Sequence, residues 1–168
     1  MIKIEIDNWK YFKIADIFKV EKAKNVVDEI ASEEAAGFDV PYITRTEYNN
    51  GCKYFCNKSD FVLEKGNCIT IGGEGANVYY QPFDFISGNN ITKIYSKFMN
   101  ENSGLFIVSI LKNEKYRYSY NRAFNKKCVE NTLIKLPAKD DQPDWEWMEK
   151  YINTLKARER DRIVKLLA

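Results

Sequence analysis

The spacing of apolar and polar positions changes twice along this chain, and each change marks a structural boundary. Residues 9–20 mix apolar and charged positions: Trp9, Phe12 and Ile17 can share one helical face, while the end of the run reads as strand. Residues 22–36 are rich in Ala, Glu and Asp, with few large apolar groups beyond Val26, Val27 and Ile30. That pattern suits an exposed helix or a mobile loop. From residue 38 short β-type runs take over, at residues 40–46, 54–63, 68–72, 78–80 and 91–95. Asn49-Asn50-Gly51 and Gly66-Asn67 are turn signals, because Asn and Gly adopt positive φ at low cost. Gly72-Gly73-Glu74-Gly75-Ala76-Asn77 is a glycine-rich loop, and Pro82 and Gly88-Asn89-Asn90 punctuate the chain between residues 81 and 91.

A helical period appears over residues 101–120. Leu105, Val108 and Ser109, then Leu111, Lys112 and Lys115, give one apolar and one basic face. Residues 132–136 form a closing strand that stops at Pro137. A polar link, residues 138–142, leads to Pro143 and Asp144, which open a helix running to the last residue. Asp144 can cap that helix, and Glu146 and Glu149 suit its positive end. Trp145, Met148, Ile152 and Leu155 step by three and four along one face. A charged stretch, residues 156–162, interrupts the stripe before Ile163, Leu166 and Leu167 resume it. About 24 residues at 1.5 Å each make an arm of roughly 36 Å, long for a helix that only closes a small domain.

The fold expected is α+β. A single domain over residues 1–137 carries a twisted, mostly antiparallel sheet with flanking helices, and residues 138–168 form a linker and a helical arm. Such a helix can dock on its own domain. The charged interruption and the polar link favour pairing with a partner, through Trp145, Met148, Ile152, Leu155, Ile163 and Leu166.

Composition narrows the chemistry. The 168 residues include no histidine, which removes Ser-His-Asp and Cys-His catalysis and the usual general base near neutral pH. Cys52, Cys56, Cys68 and Cys128 match no common zinc or disulfide spacing, so they read as reduced structural thiols and no metal or cofactor is expected. No apolar run approaches the roughly 18 residues of a membrane span, and the N-terminus lacks a signal-peptide core. A cytoplasmic location is the default.

The net charge of +2 hides an uneven distribution. Residues 21–39 hold six acids against two lysines, whereas residues 112–127 hold six bases against Glu114 alone. The basic segment fits one anionic partner face, and it fits a solvated strip equally well.

Several motifs admit two readings. The glycine loop lacks the Gly-Lys-Ser/Thr of a phosphate-binding loop and the later glycine of a dinucleotide fingerprint. It is either a tight turn or a place where backbone approaches a large ligand such as DNA. Arg45 and Thr46 with Asn49 and Asn50 put a guanidinium and two carboxamides on one loop; Arg pairs with guanine and Asn with adenine, yet the same residues make ordinary turns. Residues 116–127 interleave tyrosines with bases, suited to phosphate contacts or to a half-buried element.

In order along the chain, these segments resemble the target recognition domain of type I restriction-modification specificity subunits (HsdS type). They resemble still more the recognition domains of fused type IIG and related type IIB enzymes. The residues that carry the resemblance are Trp9 with Ile14-Ala15-Asp16-Ile17-Phe18, Pro41-Tyr42-Ile43-Thr44, Asn49-Asn50-Gly51 and Gly66-Asn67-Cys68-Ile69-Thr70-Ile71. Tyr79-Tyr80-Gln81-Pro82-Phe83, Ile134-Lys135-Leu136-Pro137 and Pro143-Asp144-Trp145-Glu146-Trp147-Met148-Glu149-Lys150-Tyr151-Ile152 complete the set. The resemblance implies a non-catalytic reader of double-stranded DNA. It would read one half of a split sequence, with a spacer helix that packs against another spacer. A partner methyltransferase would bind S-adenosylmethionine. Full specificity subunits carry two such domains, so one copy here implies a half-subunit that dimerises, or a fragment.

On that reading Arg45, Thr46, Asn49, Asn50 and Asn77 are the candidates near bases. Lys112, Arg117, Arg122, Asn125, Lys126 and Lys127 are the candidates near phosphates. Two rivals remain at this point. One is an interaction or inhibitor module of a restriction complex that does not read DNA. The other is a small enzyme gathering Glu74 or Asp84 with a cysteine.

Overall fold

In the computed structural model, which describes residues 4, 6–24, 40–56, 61–118 and 122–167, the strands are short and the chain turns often. In chain order the elements are β1 (Trp9–Lys13), α1 (Ile14–Ile17), β2 (Lys19–Lys22), β3 (Val40–Ile43), β4 (Cys52–Cys56), β5 (Cys68–Gly72), β6 (Val78–Gln81), β7 (Ile86–Ser87) and β8 (Ile91–Tyr95). Then come α2 (Glu101–Lys112), α3 (Lys126–Asn131), β9 (Leu133–Lys139), β10 (Gln142–Pro143) and α4 (Trp145–Leu167). The helix or loop expected over residues 22–36 lies almost wholly outside the described residues.

The fold is α+β and mostly antiparallel, and among the described residues the strands fall into three sheets. The strand orders are β2-β8-β5-β6, β4-β3-β7 and β1-β9-β10. Among the described residues only β3 and β7 pair in parallel, with Tyr42 opposite Ile86. The division follows from the turns. Asn49, Asn50, Gly51, Asn67, Gly75, Ala76 and Asn90 all have positive φ and redirect the chain before a longer ladder can form.

β5 is buried along its whole length and separates two cores. Its alternation sends Ile69 and Ile71 into the main core with Val78, Ile94, Phe106, Ile107 and Leu111. Cys68, on the other face, packs with Ile43 and Phe85. Burial pushes the Cys68 thiol up to about 12, which keeps it protonated and inert.

α2 begins with a reciprocal cap, in which Asn100 accepts from the Ser103 N–H at 3.0 Å and the Asn100 N–H donates to Ser103 Oγ at 2.9 Å. Gly104 lets this helix approach β6: a Cβ there would lie 2.6 Å from Cδ2 of Tyr80.

Five expectations change, four of them in the bounds or kind of an element. Residues 9–20 are not one helix but strand, short helix and strand, and Trp9, Phe12 and Ile17 still reach the same core. The strand expected over residues 54–63 begins at Cys52 and ends at Cys56; residues 57–60 fall outside the described part, and Glu64 makes only an isolated bridge to Phe85. The helix expected over residues 101–120 stops at Lys112, because the Asn113 and Glu114 N–H groups turn back to Ile110 and Leu111 in a tighter coil. The closing strand continues through Pro137 to Lys139 and folds back on β10 about Asp140 and Asp141, so the polar link is a hairpin.

The most consequential change concerns α4. Its cap is as expected, with Asp144 Oδ1 accepting from the Trp147 N–H at 2.9 Å. Its first half docks on its own domain. Met148 is fully buried, and Trp145, Trp147, Tyr151 and Ile152 pack against the main core. The partner stripe is therefore split: Trp145, Met148 and Ile152 serve the domain's own core. The last ties are Asn153 to Asn102 at 2.8 Å and Lys156 to Glu101 at 2.9 Å. Beyond Leu155 every described residue is exposed, including Ile163 and Leu166.

Candidate nucleic-acid interface

The glycine loop between β5 and β6 is the hub around which the candidate residues gather. The Gly72 N–H donates to the Asn77 carbonyl at 2.9 Å and closes the loop, with Gly75 and Ala76 both at positive φ. On one side the Asn77 amide donates to the Arg45 carbonyl at 2.9 Å, and Tyr79 Oη donates to the Thr46 carbonyl at 3.2 Å. On the other, the Phe124 N–H donates to the Gly73 carbonyl at 2.7 Å, and the Gly73 N–H donates to the Asn90 carbonyl at 2.9 Å. Residues far apart in sequence thus form one hydrogen-bonded cluster.

Charged side chains surround the glycine loop in pairs. Arg45 forms an ion pair with Glu74 on the glycine loop. Lys115 reaches Asn77 Oδ1 at 3.0 Å and Glu47 at 3.9 Å. Lys112 lies over the Tyr79 ring, 5.4 Å from its centroid. Burial and the Glu47 carboxylate raise the Tyr79 phenol, so it stays protonated as a donor. Arg117 pairs with Glu114 at 2.9 Å and with Tyr116 Oη at 2.8 Å. Lys126 reaches Glu130 at 3.4 Å, and Arg122 and Lys127 are exposed.

The structure therefore brings Arg45, Thr46, Asn77 and Lys112 together, with Arg122, Asn125, Lys126 and Lys127 beyond Phe124. Three expected asparagines have structural duties. The Asn50 amide donates to the Tyr80 carbonyl at 2.8 Å, while its own carbonyl accepts from Gln81 at 3.0 Å. Asn77 holds the loop that carries Arg45, and Asn125 Oδ1 caps α3 by accepting from the Cys128 N–H at 3.1 Å. Asn49 is exposed at positive φ.

Sequence reasoning passed over Glu47, Glu74, Tyr79 and Lys115 as members of this site. Lys115 stood within the basic segment, and Glu74 is the only charge in the glycine loop. Their partners lie in distant segments, which no local pattern reveals. Glu74 and Asp84 are engaged with Arg45 and with the Gly66 turn, where Asp84 accepts from the Gly66 N–H at 2.9 Å. Among the described residues no group of three or more His, Cys, Asp or Glu could hold a metal ion, and no helix is long and apolar enough to cross a membrane.

A cleft of 760 Å³ lies elsewhere, walled by β2, β8 and the turn at Gly66. Lys93 and Glu64 are buried there as an ion pair at 2.5 Å, with Glu21 at 3.8 Å from Lys93.

Residues 6–165 match the family described as the type I restriction modification DNA specificity domain. The chain belongs to that family. The specificity subunit S.BcgI of a type II restriction enzyme from Heyndrickxia coagulans is 31% identical over 147 residues. That match takes in 86% of this chain and 42% of the relative, so the chain spans less than half of the curated relative's length. The fold is shared with the S subunit of a type I restriction-modification system from M. genitalium, at a TM-score of 0.61 and 14% identity, covering 96% of this chain and 42% of that one. The HsdS subunit from Thermoanaerobacter tengcongensis is similar at a TM-score of 0.58 and 11% identity, covering 94% and 39%. This specificity domain thus shares its mixed, mostly antiparallel fold with those subunits.

Proposed function

We propose that this specificity domain is a non-catalytic reader of double-stranded DNA that recognises one half of a split target and carries a spacer. The observation that supports this best is the cluster of polar and basic side chains around the glycine loop. There Arg45, Thr46 and Asn77 gather with Lys112 and Lys115 on one side of the loop, and Phe124 ties the segment that carries Arg122 and Lys126 to Gly73. Cations along the flanks would neutralise phosphates, and the central loops would approach base edges.

The exposed half of α4 is the spacer in this reading. Ile163 and Leu166 would pack on a second copy or on another spacer, and a methyltransferase subunit would supply the chemistry and its S-adenosylmethionine. The boundary between reading domain and arm then falls within α4, after Leu155, rather than at Pro137. Two-fold pairing would make the full target palindromic and split.

Binding of the full chain to a random duplex library, with and without a methyltransferase subunit, followed by sequencing of the retained DNA, tests the reading. A consensus half-site is the expected result. Retention of DNA with no sequence bias, or of none at all, would reject it.

A further inference from the structure

Glu74 is the feature that a general DNA-binding surface does not explain. A carboxylate on a loop facing phosphates is repelled by them, yet Glu74 is the sole charge of the glycine loop and pairs with Arg45. Arg45 is held at two further points. Its carbonyl accepts from Asn77 at 2.9 Å, and its aliphatic stem lies over Gly72, where a Cβ would approach Cγ of Arg45 to 3.3 Å. The side chains remain 34% and 37% exposed, so the guanidinium is fixed and still accessible.

A paired arginine is poorly suited to phosphate binding. The ion pair is close to neutral, so it releases few counterions on contact. Base reading makes the opposite demand, because bidentate donation to O6 and N7 of guanine depends on the orientation of the guanidinium fork. Holding the fork in advance reduces the conformational freedom lost on binding. We infer that Arg45 is a guanine-reading residue and that Glu74 is its positioning residue. The inference rests on the DNA-reading proposal above.

The experiment compares the full chain with Glu74→Gln, Glu74→Asp, Arg45→Lys and Arg45→Ala, by selection from random duplexes and by salt titration of binding to an unselected duplex. Glu74→Gln should move two readouts in opposite directions. Discrimination for guanine at one position should fall roughly tenfold or more. Affinity for unselected DNA should rise, with the log–log salt slope steeper by about one, because a cation is released from its partner. Glu74→Asp should restore most of the discrimination. Arg45→Lys keeps the charge and should lose the guanine preference, as should Arg45→Ala.

Glu74→Gln weakening all duplexes with the guanine preference intact would overturn the inference. So would an Arg45→Lys variant that still selects the wild-type site. A wild-type chain that selects no sequence would instead fail the DNA-reading proposal, and the inference with it. A wild-type consensus that Arg45→Lys and Arg45→Ala leave unchanged would fail the inference alone.

Discussion

Trp9 and Trp147 meet edge to face with ring centroids 6.0 Å apart, so the first strand and the last helix close on each other. Phe106 of α2 touches both rings, and Tyr151 stacks on Trp147 at 5.2 Å. This cluster makes the start of α4 part of the domain that carries the glycine loop.

Trp147→Ala should therefore cost about 3 kcal/mol of stability, read as a lower urea midpoint at unchanged m-value. Leu166→Ala, on the exposed half of the same helix, should stay within about 0.5 kcal/mol. Equal effects of the two would contradict the division of α4 into docked and projecting halves.

Arg122→Ala combined with Lys126→Ala should weaken binding to all duplexes alike and reduce the log–log salt slope by about two. Altered base preference with an unchanged slope would move these residues from the phosphates to the bases. Unchanged affinity would remove them from the interface.

Lys93 and Glu64 are 5% and 3% exposed, so removing one partner leaves a buried charge alone. Lys93→Met should cost about 3–5 kcal/mol, whereas Lys93→Met with Glu64→Leu should recover most of it. Glu64 Oε1 also accepts from the Lys24 N–H, so recovery should be incomplete. Chemical denaturation of the two variants measures this coupling. Additive losses would show that the pair does not act as a unit.

The Glu21 carboxyl is held at about 2 by its hydrogen bond to the Lys19 ammonium, helped by Tyr95. A depressed folded value means that this stabilisation is present above the ordinary carboxyl value and is lost as pH falls through about 2. Glu21→Gln should flatten the dependence of the urea midpoint on pH between about 4.5 and 2. An unchanged slope in that window would show that Glu21 gains no stabilisation from the pair.

Gly66 packs against backbone rather than a side chain: a Cβ there would lie 2.4 Å from the Phe83 carbonyl carbon. Gly66→Ala should destabilise by about 1–3 kcal/mol, seen as a lower thermal midpoint, because the obstructing atoms cannot rotate away.

Legibility in the sequence tracked the range of the interactions. The strand at residues 68–72, the turn at Asn49-Asn50-Gly51 and the Asp144 cap were readable, since each depends on neighbours a few positions away. The end of α2 was misplaced because Lys115 continues the basic period while the backbone has already turned at Asn113. The Lys112 and Arg45 candidates were chosen by residue type. Glu74 was named only for a rival enzyme site, because its role beside Arg45 depends on a residue 29 positions earlier.

By itself the sequence determined the kinds of element, the positions of most turns and the family pattern. It also showed that α4 carries an apolar stripe. Periodicity encodes which face of a helix is apolar, but not what covers it. Only the tertiary structure decided that Met148 belongs to the domain's own core while Leu166 projects from it, and that Glu74 holds Arg45. Both outcomes depend on where β1, α2 and the glycine loop lie in space. That placement results from burying one shared core, not from the residues adjacent in the chain.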